Sequence, residues 1–511
     1  MPAAPSPLAQ GASDATVRRV VVAVCAMMGT LMQALDTTIA NVALPYMQGS
    51  LSATSDQITW VLTSYIVAAA IMTAPVGWLS ARFGRRTIFV AGLVGFTLAS
   101  MLCGIAQSLE EMVIFRITQG LFGAALVPLS QSIMLDLYPP EQRGQAMAIW
   151  GVGVMVGPIL GPTLGGYLTE IYNWRWVFYV NLPFGVLATA GLILFFRESV
   201  ERNARQFDWL GFAVLGLGVG ALQMMLDRGE LMDWFGSTEI VTYAVLSALG
   251  FYLFAVHTAT ARTPLLAPRL FKDINFLAGC LLGFVIFMIL LAATALLAPY
   301  LQTLGNYPVE TAGLLMAPRG IGTMIAMIAA GRLIARTDPR LLMAAGLLMI
   351  AGSLWMMTGW TPDVSRFEMV TNAIVQGAGV GFVFTPLTVV AFATLPPELR
   401  TDGTAFFNLI RNIGGAIGIS VTSFLLTQNA QIVHAQLATH VNPFNRVLQS
   451  GAAFEFWNIA NPATLASLNA EITRQASIVG YVDNFKLMML VCVAATPLLL
   501  LVRRGREPNS R

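Results

Sequence analysis

The chain has 511 residues, 56% hydrophobic and 11% charged, with a mean hydropathy of +0.70 and a formal net charge of +3. Soluble domains average about 25% charged residues, so this chain cannot clothe a water-facing surface and reads as an all-α integral membrane protein. Only two basic residues are Lys (Lys272 and Lys486) and no Lys-rich run exists, which argues against a nucleic-acid partner.

In chain order, residues 1–19 read as a cytoplasmic tail whose first 16 residues are rich in Pro, Ala and Ser and expected to be disordered. A membrane-crossing helix needs about 20 apolar residues. Such runs lie near 20–44, 57–79, 87–106, 111–135, 145–169, 174–196, 208–227, 238–260, 274–301, 309–331, 340–360, 366–394, 404–428 and 481–502. The first run follows Arg18-Arg19 and lacks a small-residue cleavage site, so it reads as a retained helix rather than a signal peptide. The pair 208–227 and 238–260 is also compatible with one re-entrant hairpin. Fourteen spans put both termini on one side. With that side inside, twenty basic residues fall inside and six outside, with Arg116, Arg319 and Arg411 within spans, which accounts for all 29. The positive-inside rule therefore supports an even count and cytoplasmic termini.

Asp36 stands alone in the first apolar run, in Leu35-Asp36-Thr37-Thr38-Ile39-Ala40-Asn41-Val42-Ala43-Leu44-Pro45. A carboxylate in a bilayer costs a few kcal/mol or more, roughly, so it faces a polar interior and has a task, here expected to be carrying a proton. Arg116, in Arg116-Ile117-Thr118-Gln119-Gly120 of the fourth span, lies roughly 8 Å from the outer end at a rise of 1.5 Å per residue, and Asp36 roughly 13 Å. The two depths allow an ion pair, direct or bridged by water.

The chain repeats itself. Glu111-Met112-Val113, Gln119-Gly120 and Pro139-Pro140-Glu141-x-Arg143 recur as Glu368-Met369-Val370, Gln376-Gly377 and Pro396-Pro397-Glu398-x-Arg400, each at an offset of 257, and Gly77-x-Leu79-x-Ala81-Arg82 recurs at Gly331 with an offset of 254. A register held over two helices and two loops indicates duplication. The expected organisation is a six-helix bundle at 20–196, two inserted helices within 208–260, a second six-helix bundle at 274–502, and a cytoplasmic tail at 503–511. Both halves begin on the same side, so the repeat is parallel. At the register position of Arg116 the second half has Ala373, so the fold itself does not need an Arg there.

Gly153, Gly157, Gly161 and Gly165, with Gly166, Pro158 and Pro162 among them, lie on the fifth span. Glycines every four residues let a neighbouring helix approach closely, and the prolines imply a bend or hinge. The second half keeps only part of this pattern, at Gly414, Gly415 and Gly418. The loop after the second span reads Gly77-x-Leu79-x-x-Arg82-x-Gly84-Arg85-Arg86, and Arg85 is in reach of Asp136 at the inner end of the fourth span.

These motifs resemble those of the major facilitator superfamily, in its fourteen-helix drug:proton antiporter branch of the EmrB/QacA type, over nearly the whole chain. The resemblance implies two parallel six-helix bundles plus two extra helices, and proton-driven efflux of drug-like amphiphiles by alternating access around a midplane site. In those terms Asp36 and Arg116 would couple the proton, the glycine-proline face of the fifth span would be the antiporter motif, and Gly77, Arg82, Gly84, Arg85, Arg86 and Asp136 would form a cytoplasmic gating loop. Ala81 departs from the family loop, where an Asp is usual, and puts a latch built on that Asp in doubt. Gln119, Arg319 and Arg411 are candidate substrate or coupling residues. The proton gradient is the only implied driving component, with no cofactor or metal. The four cysteines, Cys25, Cys103, Cys280 and Cys492, sit far apart in apolar runs and read as core residues.

The longest connection, 429–480, is expected outside, with much of 446–480 helical. It carries Phe444, Phe454, Phe456 and Trp457 and is either a contact for a periplasmic adaptor protein, itself joined to an outer-membrane channel, or a self-packed cap. The rival readings are a proton-coupled transporter of one metabolite and a non-transporting membrane sensor. The glycine-proline face argues against import, and no catalytic cluster, P-loop or nucleophile elbow supports an enzyme.

Overall fold

The computed structural model describes residues 7–196, 206–441, 445 and 461–502. The tail 503–511, the loop arginines Arg197, Arg202, Arg205 and Arg446, and Phe444, Phe454, Phe456 and Trp457 lie outside the described residues.

Fourteen helices follow one another without a strand among the described residues. In the first bundle they are α1 (Pro7–Ser50), α2 (Ser55–Ile58, Trp60–Thr73 and Val76–Phe83), α3 (Arg85–Ile105), α4 (Leu109–Gly123 and Leu126–Leu137), α5 (Arg143–Ile171) and α6 (Trp176–Tyr179 and Asn181–Phe195). The inserted pair is α7 (Trp209–Arg228) and α8 (Thr238–Thr260). The second bundle is α9 (Ile274–Pro299), α10 (Val309–Leu333), α11 (Pro339–Met357), α12 (Arg366–Ala393), α13 (Arg400–Ala438) and α14 (Pro462–Ala495). Twelve are long and apolar enough to cross a membrane alone, and α2 is a further span bent by 56° where Ala74-Pro75 interrupts it. At 29 residues α5 completes the set. Both α7 and α8 are full-length spans, so the insertion is not a re-entrant hairpin.

Two boundaries differ from expectation. The helix α1 begins at Pro7, inside the stretch read as a tail, because no proline interrupts the chain between Pro7 and Pro45. The connection 429–480 shrinks from both ends. Without Gly or Pro between Ile419 and Ala438, α13 continues ten residues past 428, and α14 starts at Pro462, where the Asn461 side chain accepts from the Ala463 N–H at 3.0 Å.

The repeat is physical as well as textual. Ser108 caps α4 by accepting from the Glu111 N–H, and Ser365, 257 residues on, caps α12 by accepting from the Glu368 N–H, each at 3.2 Å. A Cβ at Gly120 would stand 2.5 Å from the carbonyl oxygen of Tyr65, and one at Gly377 would stand 1.9 Å from that of Arg319. Each glycine is thus the point where its helix touches the backbone of α2 or α10. Only Gly permits so close an approach.

The inserted pair leans on the seam between the bundles. Ile71 of α2 faces Gly216 and Gly220 of α7, and the Ser420 hydroxyl of α13 donates to the Leu226 carbonyl at 2.8 Å. Gly218 and Gly250 let α7 and α8 meet almost backbone to backbone. The aliphatic side chains left exposed, such as Leu187, Leu194 and Leu348, face outward from the bundles, as lipid contact requires.

Candidate functional site

Asp36 and Arg116 form an ion pair with both side chains fully buried; Arg116 Nη1 donates to Asp36 Oδ2 at 2.6 Å. The pair is direct. Arg116 also donates from Nη1 to Gln119 Oε1 at 2.8 Å and from Nε to the Val61 carbonyl at 2.8 Å, and Gln119 Nε2 donates to Asp36 Oδ1 at 2.8 Å. Asn181 Nδ2, from the start of α6, reaches Asp36 Oδ1 at 3.4 Å and the Ser100 hydroxyl at 3.0 Å. The guanidinium lies 4.3 Å above the Tyr65 ring. Four helices, α1, α2, α4 and α6, therefore converge on one ion pair. Two buried charges are tolerable only when each is paired and hydrogen-bonded in this way. The spacing of the α4 residues makes it possible, since positions 116 and 119 share one helix face.

Asn181, Tyr65 and Ser100 belong to the site without having been singled out by sequence. The available signal was their polarity inside apolar spans. Gln119, a candidate on sequence grounds, sits at the centre of the cluster.

The glycine face of α5 lies against the helix that carries Asp36. A Cβ at Gly157 would stand 2.5 Å from the Ala34 Cβ and 2.6 Å from its carbonyl carbon; one at Gly161 would stand 2.1 Å from Thr38 Oγ1; one at Gly165 would meet Ile39 Cγ1 at 2.8 Å. Gly153 faces Met27 at 3.2 Å, and Gly166 is looser, 4.0 Å from Val42. Pro158 and Pro162 lie within the same helix, which runs unbroken from Arg143 to Ile171. The inner part of α5 touches the other bundle. Gly144 packs on Gly331, Gly151 on Met327, and Trp150 stacks on Phe384 with ring centroids 6.1 Å apart.

At the arginine-rich end the two bundles are tied together. Asp136 of α4 accepts from Arg85 of α3 and from Arg400 of α13. Ser132 and Thr401 hydroxyls lie 3.1 Å apart, and Asn408 Nδ2 donates to Gln131 Oε1 at 2.8 Å. The expected Arg85–Asp136 contact is present, and Arg400 from the second half completes it. Its place in the repeated Pro-Pro-Glu-x-Arg loop was the signal for an inner-end cation. Arg86 Nη2 donates to the Ile193 carbonyl at 2.5 Å, Arg82 is exposed, and Gly84 has φ 89°, a backbone that favours glycine. A Cβ at Gly77 would fall 1.6 Å from Asp402 Oδ1, so an acidic side chain does stand beside this loop, contributed by α13.

Arg319 and Arg411 are both in the second bundle, apart from Asp36. Arg319, 8% exposed, donates to Thr294 Oγ1 at 2.8 Å and to the Leu290 carbonyl at 3.0 Å. Arg411, 6% exposed, lies 4.4 Å over the Phe287 ring, and its Nε and Nη1 have no acceptor among the described residues. Phe287 in turn packs on Phe384, which stacks on Trp150 across the seam. The four cysteines are buried and free.

A parallel six-plus-six helical repeat with a buried charge cluster in one half defines a membrane transporter, not an enzyme. The model of the Major Facilitator Superfamily matches residues 26–419. Multidrug export protein EmrB of Haemophilus influenzae is 37% identical over 462 residues, covering 90% of each chain. The fatty acid resistance protein FarB of Neisseria gonorrhoeae is 34% identical, covering 93% of this chain and 94% of its own. Among solved structures, the proton:xylose symporter XylE and the human organic anion transporter TETRAN each align with a TM-score of 0.59 at 15% identity over 93% of this chain, covering 95% and 99% of theirs. That likeness speaks for the fold alone. The chain belongs to the Major Facilitator Superfamily, and within it resembles the fourteen-helix EmrB-type exporters.

Proposed function

We propose that the chain exports drug-like amphiphiles across the inner membrane in exchange for protons, with Asp36 as the proton carrier and Arg116 and Gln119 as the groups that read its charge. The observation that carries this reading is the fully buried Asp36–Arg116 pair on the helix gripped by the α5 glycine face. With both termini cytoplasmic, the arginine-rich end serves as the cytoplasmic gate, with Asp136 tied to Arg400 across the bundles and to Arg85 within its own, beside the loop that carries Gly77, Arg82, Gly84 and Arg86.

The coupling follows from charge. Ionised Asp36 holds α1 against α4 and α6 through the donors of Arg116, Gln119 and Asn181. Protonation removes the charge that these donors answer, and α1 loosens. Because α1 lies in the α5 groove and the inner part of α5 lies on α10 and α12, the loosening reaches the seam between the bundles. The gate then opens to the cytoplasm, the proton leaves inward, and a drug enters. Re-formation of the ion pair returns the gate to the closed form and releases the drug outward.

On the outer side, α13 has 39 residues and α14 has 34, about 58 and 51 Å at 1.5 Å per residue. Both exceed the roughly 30 Å hydrocarbon core. Their projecting parts pair, with His434 Nε2 3.0 Å from Asn469 Oδ1. This projection is the natural contact for a periplasmic adaptor protein feeding an outer-membrane channel.

The deciding experiment is Asp36→Asn assayed by drug efflux in a pump-deficient host, with and without a proton uncoupler. Loss of uncoupler-sensitive efflux with retained membrane expression is expected. Full efflux by the variant would refute the proton-carrier role.

A further inference from the structure

The repeat allows the two bundles to be compared position by position. Gly157 of α5 faces Ala34 and Gly161 faces Thr38; their counterparts at an offset of 257, Gly414 and Gly418, face Phe284 and Met288 of α9. The offset from α1 to α9 is thus 250, and the counterpart of Asp36 is Ile286. Gln119 corresponds to Gln376. Through the Gly120 and Gly377 contacts, Tyr65 corresponds to Arg319.

In the first bundle a guanidinium and the Gln119 amide nitrogen both point at the Asp36 carboxylate. In the second bundle the guanidinium has moved from α4's counterpart, where Ala373 stands, to α10, where Arg319 replaces the Tyr65 on which Arg116 lies. The amide is kept. The carboxylate is gone. Arg319, Gln376 and Ile286 line one cavity of about 10 Å³, walled also by α11 and α14 through Leu347, Ile350 and Cys492. Gln376 is 3% exposed, and its Nε2 donates to nothing among the described residues. Arg319 makes no ion pair among the described residues; its identified acceptors, Thr294 Oγ1 and the Leu290 carbonyl, are neutral.

A buried guanidinium facing only neutral acceptors carries an uncompensated charge, which a protein interior tolerates poorly. An unused amide donor beside it adds a second unmet demand. We propose that the second bundle binds a small monovalent anion, of the charge of chloride, between Arg319 and Gln376, where the first bundle has the Asp36 carboxylate. The cavity has room for about one water-sized occupant, so a halide is seated only with a small outward shift of the lining, and a drug or a bulky carboxylate is excluded. It lies inside one bundle rather than between the two. The anion is therefore a structural counter-ion that makes the second bundle rigid, and the inference stands whether or not the chain exports drugs.

The test uses the purified full-length chain in detergent, with its melting temperature followed as sodium chloride or sodium bromide replaces sodium gluconate at constant ionic strength. A ligand that binds only the folded state stabilises it by mass action. A saturable upward shift with either halide is expected. Gln376→Leu should move half-saturation to higher halide, and Arg319→Leu should remove the shift. Ile286→Asp supplies the missing carboxylate from α9; this variant should be as stable in gluconate as in chloride. Equal melting temperatures of the unaltered chain in chloride and gluconate would overturn the proposal. So would a halide shift that persists unchanged in Ile286→Asp. Benzoate stabilising as well as chloride would also overturn it, because it would assign the guanidinium to a carboxylate-bearing solute.

Discussion

The Thr38 hydroxyl, two residues along α1 from Asp36, lies within hydrogen-bond reach of the main-chain carbonyl of Gly157 at 3.1 Å, sharing its proton with the Ala34 and Leu35 carbonyls of its own helix. This contact exists because neither Gly157 nor Gly161 has a Cβ to hold α1 away. The glycine face is therefore not a general softness in α5 but a fitted groove for the helix that carries Asp36. Gly157→Ala would place a methyl group 2.6 Å from the Ala34 backbone, where nothing flexible can yield, and overpacking of this kind costs about 1–3 kcal/mol. Gly166→Ala meets only Val42 at 4.0 Å. Melting temperatures in detergent should fall for Gly157→Ala and stay unchanged for Gly166→Ala, and efflux should follow the same order.

Removing one partner of a buried ion pair is worse than removing both. Arg116→Ala leaves Asp36 with Gln119 and Asn181 as its remaining donors among the described residues, in a place with no exposure. Breaking such a pair costs about 3–5 kcal/mol. The double variant Asp36→Asn, Arg116→Ala should melt at a higher temperature than Arg116→Ala alone. A double variant less stable than the single would show that Arg116 serves mainly its Val61 and Tyr65 contacts.

The tied end offers a lock. The Ser132 and Thr401 hydroxyls are 3.1 Å apart on opposite bundles. The paired variant Ser132→Cys, Thr401→Cys should cross-link on mild oxidation, stop efflux, and recover with reductant, since the native cysteines are all buried. Adding Asp136→Asn removes the carboxylate shared by Arg85 and Arg400, so the closed form loses population and cross-linking should slow several-fold. An unchanged rate would mean that the apolar contact of Trp150 with Phe384 holds the gate without the charges.

Much of this was legible from sequence, for reasons that particular residues make plain. Asp36 and Arg116 stood out because a charge in an apolar run is costly, and their depths along two helices needed only the helical rise. The fourteen helices and the repeat came from hydropathy and from short matches held in register. Asn181 was not legible, because a neutral polar residue at a span end has several ordinary uses. Arg400 was counted as a positive charge on one side, and nothing in the linear chain says that it crosses to Asp136 of the other bundle. The helices α1, α13 and α14 run past the apolar segments because hydropathy marks where lipid ends, while a helix can continue into water.

Arg411 separates a gate role from a substrate role. Its guanidinium lies over Phe287, one ring from Phe384 and two from Trp150, with Nε and Nη1 unmatched among the described residues. A cation placed there attracts an anionic group and repels a cationic one. Arg411→Gln keeps a hydrogen-bonding amide on a shorter side chain but removes the charge. Efflux of an acidic amphiphile should fall several-fold in this variant, while efflux of a cationic dye of similar size should hold or rise. Equal losses for both would assign Arg411 to packing over Phe287 instead, since the cation–π contact is worth about 0.5–2 kcal/mol and its loss does not distinguish one substrate from another.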